Sequence, residues 1–195
     1  VFGLFLFGLG ESLLITSGAG VGPYTVFAQG ISNLTNWSLG LSTFVISIFV
    51  LMLWIPLKQK PGIGTILNAF IIALTIEFSV YFLPYPELYP LKVLQVVIGV
   101  LTIGIGSGFY LICNLGAGPR DGLMIGLQKV TNMPIYSIRT SIEISVVVLG
   151  SICLLNNLDK LLGEVVGLGT VIFALGIGPS VALGITIVGK LSKET

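Results

Sequence analysis

Residues 116–132 read GAGPRDGLMIGLQKVTN, and residues 20–36 read GVGPYTVFAQGISNLTN. Slid by 96 positions, Gly20, Gly22, Pro23, Gly30, Thr35 and Asn36 fall on Gly116, Gly118, Pro119, Gly126, Thr131 and Asn132. The register extends upstream, where Gly3, Gly8 and Gly10 fall on Gly99, Gly104 and Gly106. Downstream, after an insertion in the second copy, GIGT at 62–65 matches GLGT at 167–170. Shared glycine alone is a weak signal, because glycine is common in membrane helices. Glycine in register with proline and a Thr-Asn pair is a duplication, with repeats at 1–84 and 92–190.

Composition says what was duplicated. The chain is 54% apolar and 9% charged, with 26 glycines, no histidine and a mean hydropathy of +1.06. Soluble domains carry roughly 25% charge. From Ser12 the first charged residue is Lys58, so the reading is an integral membrane protein forming a single transmembrane domain over 1–195. A net charge of +1 argues against a nucleic-acid partner. Without histidine, Ser-His and Cys-His nucleophile pairs and the usual zinc sites are excluded, so no enzyme, metal or cofactor is expected. Cys113 and Cys153 both lie in apolar spans, where disulfides are not expected. The chain opens at Val1 inside an apolar run, so the first span is expected to begin upstream, and no secretory signal is read.

Runs of about 20 apolar residues place six spans at 1–17, 38–57, 63–83, 92–114, 135–155 and 165–189. The paired stretches at 22–36 and 118–132 read as short helices of about 14 residues, roughly 21 Å long. If these do not cross, each half has three spans, and the second half enters the membrane from the opposite side. Positive charge favours that plan. With the N-terminus inside, Lys58, Lys60, Arg120, Lys129, Arg139, Lys190 and Lys193 fall on the cytoplasmic side and only Lys92 and Lys160 outside. The predicted fold is therefore all-α, six transmembrane helices in two inverted three-span repeats, each with a short amphipathic or re-entrant helix after its first span. Both termini are expected in the cytoplasm.

Phe27, Ile31 and Leu34, and Leu123, Leu127 and Val130, recur at helical spacing on the short segments. Two placements stay open: flat in the interface with membrane lipid, or dipping inward, where irregular backbone needs protein or water around it. Gly20, Gly22, Pro23 and Gly116, Gly118, Pro119 are the hinges and helix starts. Asp121 then complements the positive helix end. Arg120 beside unpaired N–H groups can hold a carboxylate or phosphate, of a small anionic solute or a lipid headgroup. Read blandly, Arg120 is an inner-surface anchor and Asp121 a cap.

The second copy has taken up charge: Tyr24, Thr25, Thr43 and Ser47 become Arg120, Asp121, Arg139 and Glu143. Arg139 and Glu143 are one turn apart and can pair, with Glu143 roughly 12 Å into the span. With Thr140, Ser141 and Ser145 they make the fifth span the most polar, suited to a bundle interior. Charges inside membranes are costly and tend to be paired or functional, so Glu11 and Glu77 join Arg120, Asp121, Arg139 and Glu143 as candidate solute-site residues. Lacking a sequence-local partner, Glu11 and Glu77 can also be read as protonated, hydrogen-bonded residues. Gly104 and Gly108, Gly163 and Gly167, and Gly118, Gly122 and Gly126 form close-approach faces, mostly within the chain. A homodimer is compatible with them.

LGAGPRDGLMIGL at 115–127, with GAGVGPYTV upstream and GLGTVIFALGIGP downstream, resembles the YczE/YyaS/YitT family of bacterial integral membrane proteins. The family's second-half GPRDG signature is carried by Gly118, Pro119, Arg120, Asp121 and Gly122. Its first-half Pro-aromatic-Asp is here Pro23, Tyr24 and Thr25, without the acid. The resemblance implies a multi-pass protein of the bacterial inner membrane. The leading functional reading is a small-solute permease using inverted repeats for alternating access. The alternative is a non-transporting scaffold or regulator working through a membrane partner.

Overall fold

A computed structural model of the chain describes residues 1–156, 161 and 164–191. Among these it forms eight helices and no β-strand: α1 (Phe2–Ser17), α2 (Pro23–Thr35), α3 (Leu39–Leu53), α4 (Ile63–Ser79), α5 (Tyr89–Ile112), α6 (Pro119–Thr131), α7 (Ile135–Cys153) and α8 (Leu168–Leu191). Three stretches, Tyr89–Ile112, Tyr136–Cys153 and Leu168–Lys190, are long and apolar enough to cross a membrane. α1 and α4 are apolar but shorter, and α2 and α3 together would make one span bent by 114°. Lys160, Lys193 and Gly163, used in the sequence reading, lie outside the described residues.

The helix ends follow local chemistry, and they repeat. α2 and α6 each start at a proline, which is pre-set for a first helical turn, and each ends on a left-handed asparagine, Asn36 and Asn132, both at φ 56°. α1 ends on left-handed Gly18 at φ 58° and α5 runs into left-handed Asn114 at φ 49°. In the hinges Gly20 and Gly116 take φ 116° and 125°, a region open to glycine. Each is also crowded: a Cβ on Gly20 would stand 2.7 Å from Thr170 N, and one on Gly116 2.7 Å from Thr65 Oγ1.

α1 and α5 cross through glycines, which let the two backbones come close together. A Cβ on Gly3 would lie 2.6 Å from Gly106 O, and one on Gly10 2.7 Å from Gly99 O. Gly3 meets Gly106 while Gly10 meets Gly99, so the two helices run antiparallel. Gln95 on α5 ties the far end of this seam, donating to Thr16 Oγ1 at 2.6 Å and to Leu13 O and Pro84 O at 3.2 Å. α4 packs on α1, where Gly8 faces Thr75, and α8 packs on α5, where Gly104 faces Ser180 and Gly108 faces Gly184.

The two halves are also stitched across. Gly64 N–H donates to Leu115 O at 2.9 Å, and Gly169 N–H donates to Ala19 O at 2.7 Å. The GIGT and GLGT turns thus each close the hinge of the opposite half. The short helices follow the same rule, α2 lying on α7 and α6 on α3.

The polar fifth span departs from expectation. α7 is peripheral, with Thr140, Ser141 and Ser145 exposed rather than turned to the bundle interior. Ser145 returns its hydroxyl to Ser141 O at 2.7 Å. Back-bonding of this kind satisfies a hydroxyl inside its own helix, so a Ser/Thr-rich face does not require a protein partner.

Candidate functional site

The starts of both short helices converge on a central cavity of about 360 Å³. Much of its lining falls at positions 96 residues apart: Phe7 and Ile103, Glu11 and Ser107, Tyr24 and Arg120, Thr25 and Asp121, Thr43 and Arg139. The GIGT-to-GLGT register adds Asn68 and Phe173, Ile72 and Ile177, Ile76 and Val181. Most of the wall is apolar and carbon-lined, as is usual of pockets that hold small solutes through a few placed polar groups.

Each short helix is fastened to the long helix before it by a hydroxyl and a carboxylate. In the first half Thr25 Oγ1–H donates to Glu11 Oε2 at 2.7 Å, and Glu11 is buried. In the second half Tyr110 O–H donates to Asp121 Oδ2 at 2.9 Å. The acid sits on the long helix in one half and on the short helix in the other. Trp54, at the C-cap of α3, holds the start of α6, its Nε1–H donating to Pro119 O at 2.9 Å.

Arg120 and Arg139 both reach the cavity. Arg139 Nε–H donates to Glu143 Oε1 at 3.0 Å, the ion pair expected from their spacing, with the side chains 41% and 26% exposed. It is the single ion pair among the described residues. Arg120 therefore closes no salt bridge there. The Tyr24 hydroxyl is buried and makes no hydrogen bond among the described residues. No cluster of three or more His, Cys, Asp or Glu stands together among them as a metal site.

Of the six charged residues singled out from sequence, Glu11, Arg120, Asp121 and Arg139 line the cavity. Glu143 stands behind Arg139 and is not part of the lining. Glu77 stands apart: its Oε2 accepts from Gly40 N–H at 3.1 Å, beside the start of α3. A carboxylate there complements the positive helix end, which gives Glu77 a structural partner, and it is not part of the cavity lining. Of the hinge residues, Gly118 and Pro119 reach the lining, while Gly20, Gly22, Pro23 and Gly116 shape the backbone behind it.

A model described as "Family of unknown function (DUF6198)" matches residues 1–185. The chain belongs to that family. An uncharacterized protein of Haemophilus influenzae is 42% identical over 191 residues, 98% of this chain and 84% of the relative. The uncharacterized membrane protein YczE of Bacillus subtilis is 29% identical over 150 residues, 74% of this chain and 68% of the relative. The uncharacterized protein YyaS of the same organism is 27% identical over 142 residues, 71% of each chain. The likeness to YczE and YyaS read from the GPRDG stretch is thus shown, and this DUF6198 chain is a membrane protein. No solved structure matches it.

In this DUF6198 chain the sequence reading missed Tyr110, Asn68 and Ser107 as cavity residues. Tyr110 carries the one signal that could have found it, a hydroxyl within an apolar span that must find a partner when buried.

Proposed function

We propose that the protein is a permease of the bacterial inner membrane that moves a small solute bearing an anionic group, by alternating access between two inverted three-span repeats. The observation that carries this reading is the central cavity lined by repeat-equivalent residues, with Arg120 unpaired among the described residues at its wall. Secondary transporters place their sites at the repeat interface, with the starts of broken helices aimed at the solute. The antiparallel crossing of α1 with its repeat partner α5 supports an inverted arrangement, as do the crossed hinge bonds Gly64–Leu115 and Gly169–Ala19. The short helices are then re-entrant elements whose starts form the site and whose ends emerge on opposite faces. Rocking one half against the other would break the hinge seams in turn and open the cavity to each side.

The test uses a background with Cys113→Ser and Cys153→Ser. Leu34→Cys and Val130→Cys, repeat-equivalent and both exposed, are expected to react with an impermeant thiol reagent from opposite faces. Ser107→Cys, in the cavity wall, is expected to react from both faces in turn, at rates that solute alters. Same-face labelling of the first pair sinks the inverted arrangement. A Ser107→Cys that is never labelled, with no uptake of any solute into proteoliposomes, sinks the permease.

A further inference from the structure

We propose that the solute is a zwitterion with an apolar body, of the class of α-amino acids with aliphatic or aromatic side chains. The inference rests on the permease site above and names what it takes. Its basis is that the cavity holds both signs of charge without closing them on each other. Arg139 is answered by Glu143. Arg120 remains, facing a cavity that also presents Glu11 and Asp121, and none of these three forms an ion pair among the described residues.

That balance selects among solutes. A plain anion drawn to Arg120 would enter beside two carboxylates, and in a low-dielectric wall like charges repel strongly. A plain cation drawn to Glu11 or Asp121 would meet the Arg120 guanidinium. A molecule carrying a carboxylate and an ammonium answers both. Arg120 supplies a fork of N–H donors suited to a carboxylate, and the converging starts of α2 and α6 add positive potential. The buried Tyr24 hydroxyl has a hydrogen bond to give and none made among the described residues. Glu11 has its Oε2 bonded by Thr25, leaving Oε1 to receive an ammonium.

The rest of the wall is apolar. Ile72, Ile103, Phe173 and Ile177 line it from α4, α5 and α8, and they would leave a strongly hydrated inorganic ion without partners. The volume of about 360 Å³ is on the order of a dozen waters at roughly 30 Å³ each. A molecule the size of leucine fits that space, and a peptide of several bulky residues does not.

The experiment compares L-leucine, 4-methylpentanoate, which lacks the ammonium, and 3-methylbutylamine, which lacks the carboxylate. Binding to the purified full chain is measured in detergent or nanodiscs by calorimetry. The expected result is a leucine Kd at least tenfold below that of either analogue. Arg120→Gln is expected to leave leucine no better than the amine, and Glu11→Gln to leave it no better than the acid. The wild-type panel stands alone if a variant fails to fold. Equal or tighter binding of 4-methylpentanoate overturns the proposal in favour of an anion site, equal or tighter binding of the amine in favour of a cation site. Absence of binding by all three at millimolar concentration also overturns it. Because no gradient is involved, leucine binding without uptake refutes only the permease reading. Uptake of some other solute without leucine binding refutes only the zwitterion.

Discussion

In the first half α3 lies against α4, so closely that a Cβ on Gly40 would stand 2.6 Å from Ala73 O and from Glu77 Oε2. Ninety-six residues on, the place of Gly40 is taken by Tyr136, which is 71% exposed, and α7 forms no comparable seam with α8. The opposite allocation holds at the short helices. α2 rests on α7 backbone to backbone, a Cβ on Gly30 meeting Gly150 O at 2.7 Å. The residue one repeat before Gly150 is Trp54, so α6 approaches α3 across an indole ring. One plan of helices is thus assembled with different tight seams, and the choice of glycine or a large ring at a single position decides which elements touch. The second half, with its outer span sealed to α2 rather than to α8 and its acid and base at the start of α6, is the more polar of the two.

Substitutions can break this comparison or sharpen it. The largest effect is expected at the crossing common to both halves. Gly106→Leu puts a side chain against Gly3 O and Phe7 N, which as backbone cannot yield, and overpacking that a core can relax already costs about 1–3 kcal/mol. Loss of the folded chain is expected by thermal unfolding in detergent. Gly178→Ala, where a Cβ meets nothing within 4 Å, is expected to be neutral or slightly stabilising.

Next comes the seam that only one half has. Trp54→Ala removes the ring that packs against Gly122 and the donor to Pro119 O, for an expected loss of about 3–5 kcal/mol. Trp54→Phe keeps most of the ring and loses the hydrogen bond, for about 1 kcal/mol. If both substitutions cost the same, the bond and not the ring positions α6.

A smaller effect is expected from the pair that replaced Thr43 and Ser47. A double-mutant cycle on Arg139→Gln and Glu143→Gln is expected to give a coupling of about 0.5–1 kcal/mol, reduced from a buried pair because both side chains are partly exposed. Strict additivity would show that the second half gained its charges without a structural bond. Smallest of all is Glu77→Gln. The amide oxygen still accepts from Gly40 N–H, so only the charge on the helix start is lost, under about 1 kcal/mol. A larger loss, or a change in solute binding, would join Glu77 to the cavity whose lining it does not form.

The helices themselves were legible. Spans read at 63–83 and 135–155 became α4 over Ile63–Ser79 and α7 over Ile135–Cys153, and both short helices start at the prolines that marked them. Four of the six charged residues proposed from sequence line one cavity. Glu77 falls outside that lining, and its partner is a backbone N–H on a neighbouring helix, which no side-chain pattern announces. Tyr110 was missed because one hydroxyl in an apolar run does not disturb its hydropathy.

By itself the sequence determined the membrane solvent and the positions of the helices. Apolar run length, proline and glycine act on the backbone within a turn or two, so they can be read without knowing what lies across the bundle. The tertiary structure alone decided that α1 and α5 cross antiparallel, that Glu11 and Asp121 find hydroxyl partners on adjacent helices, and that α7 stays outside despite its polarity. Those outcomes depend on how closely two backbones can approach and on whether a hydroxyl bonds its own helix or another. Both are settled by the helices' contacts with one another, which no single segment encodes.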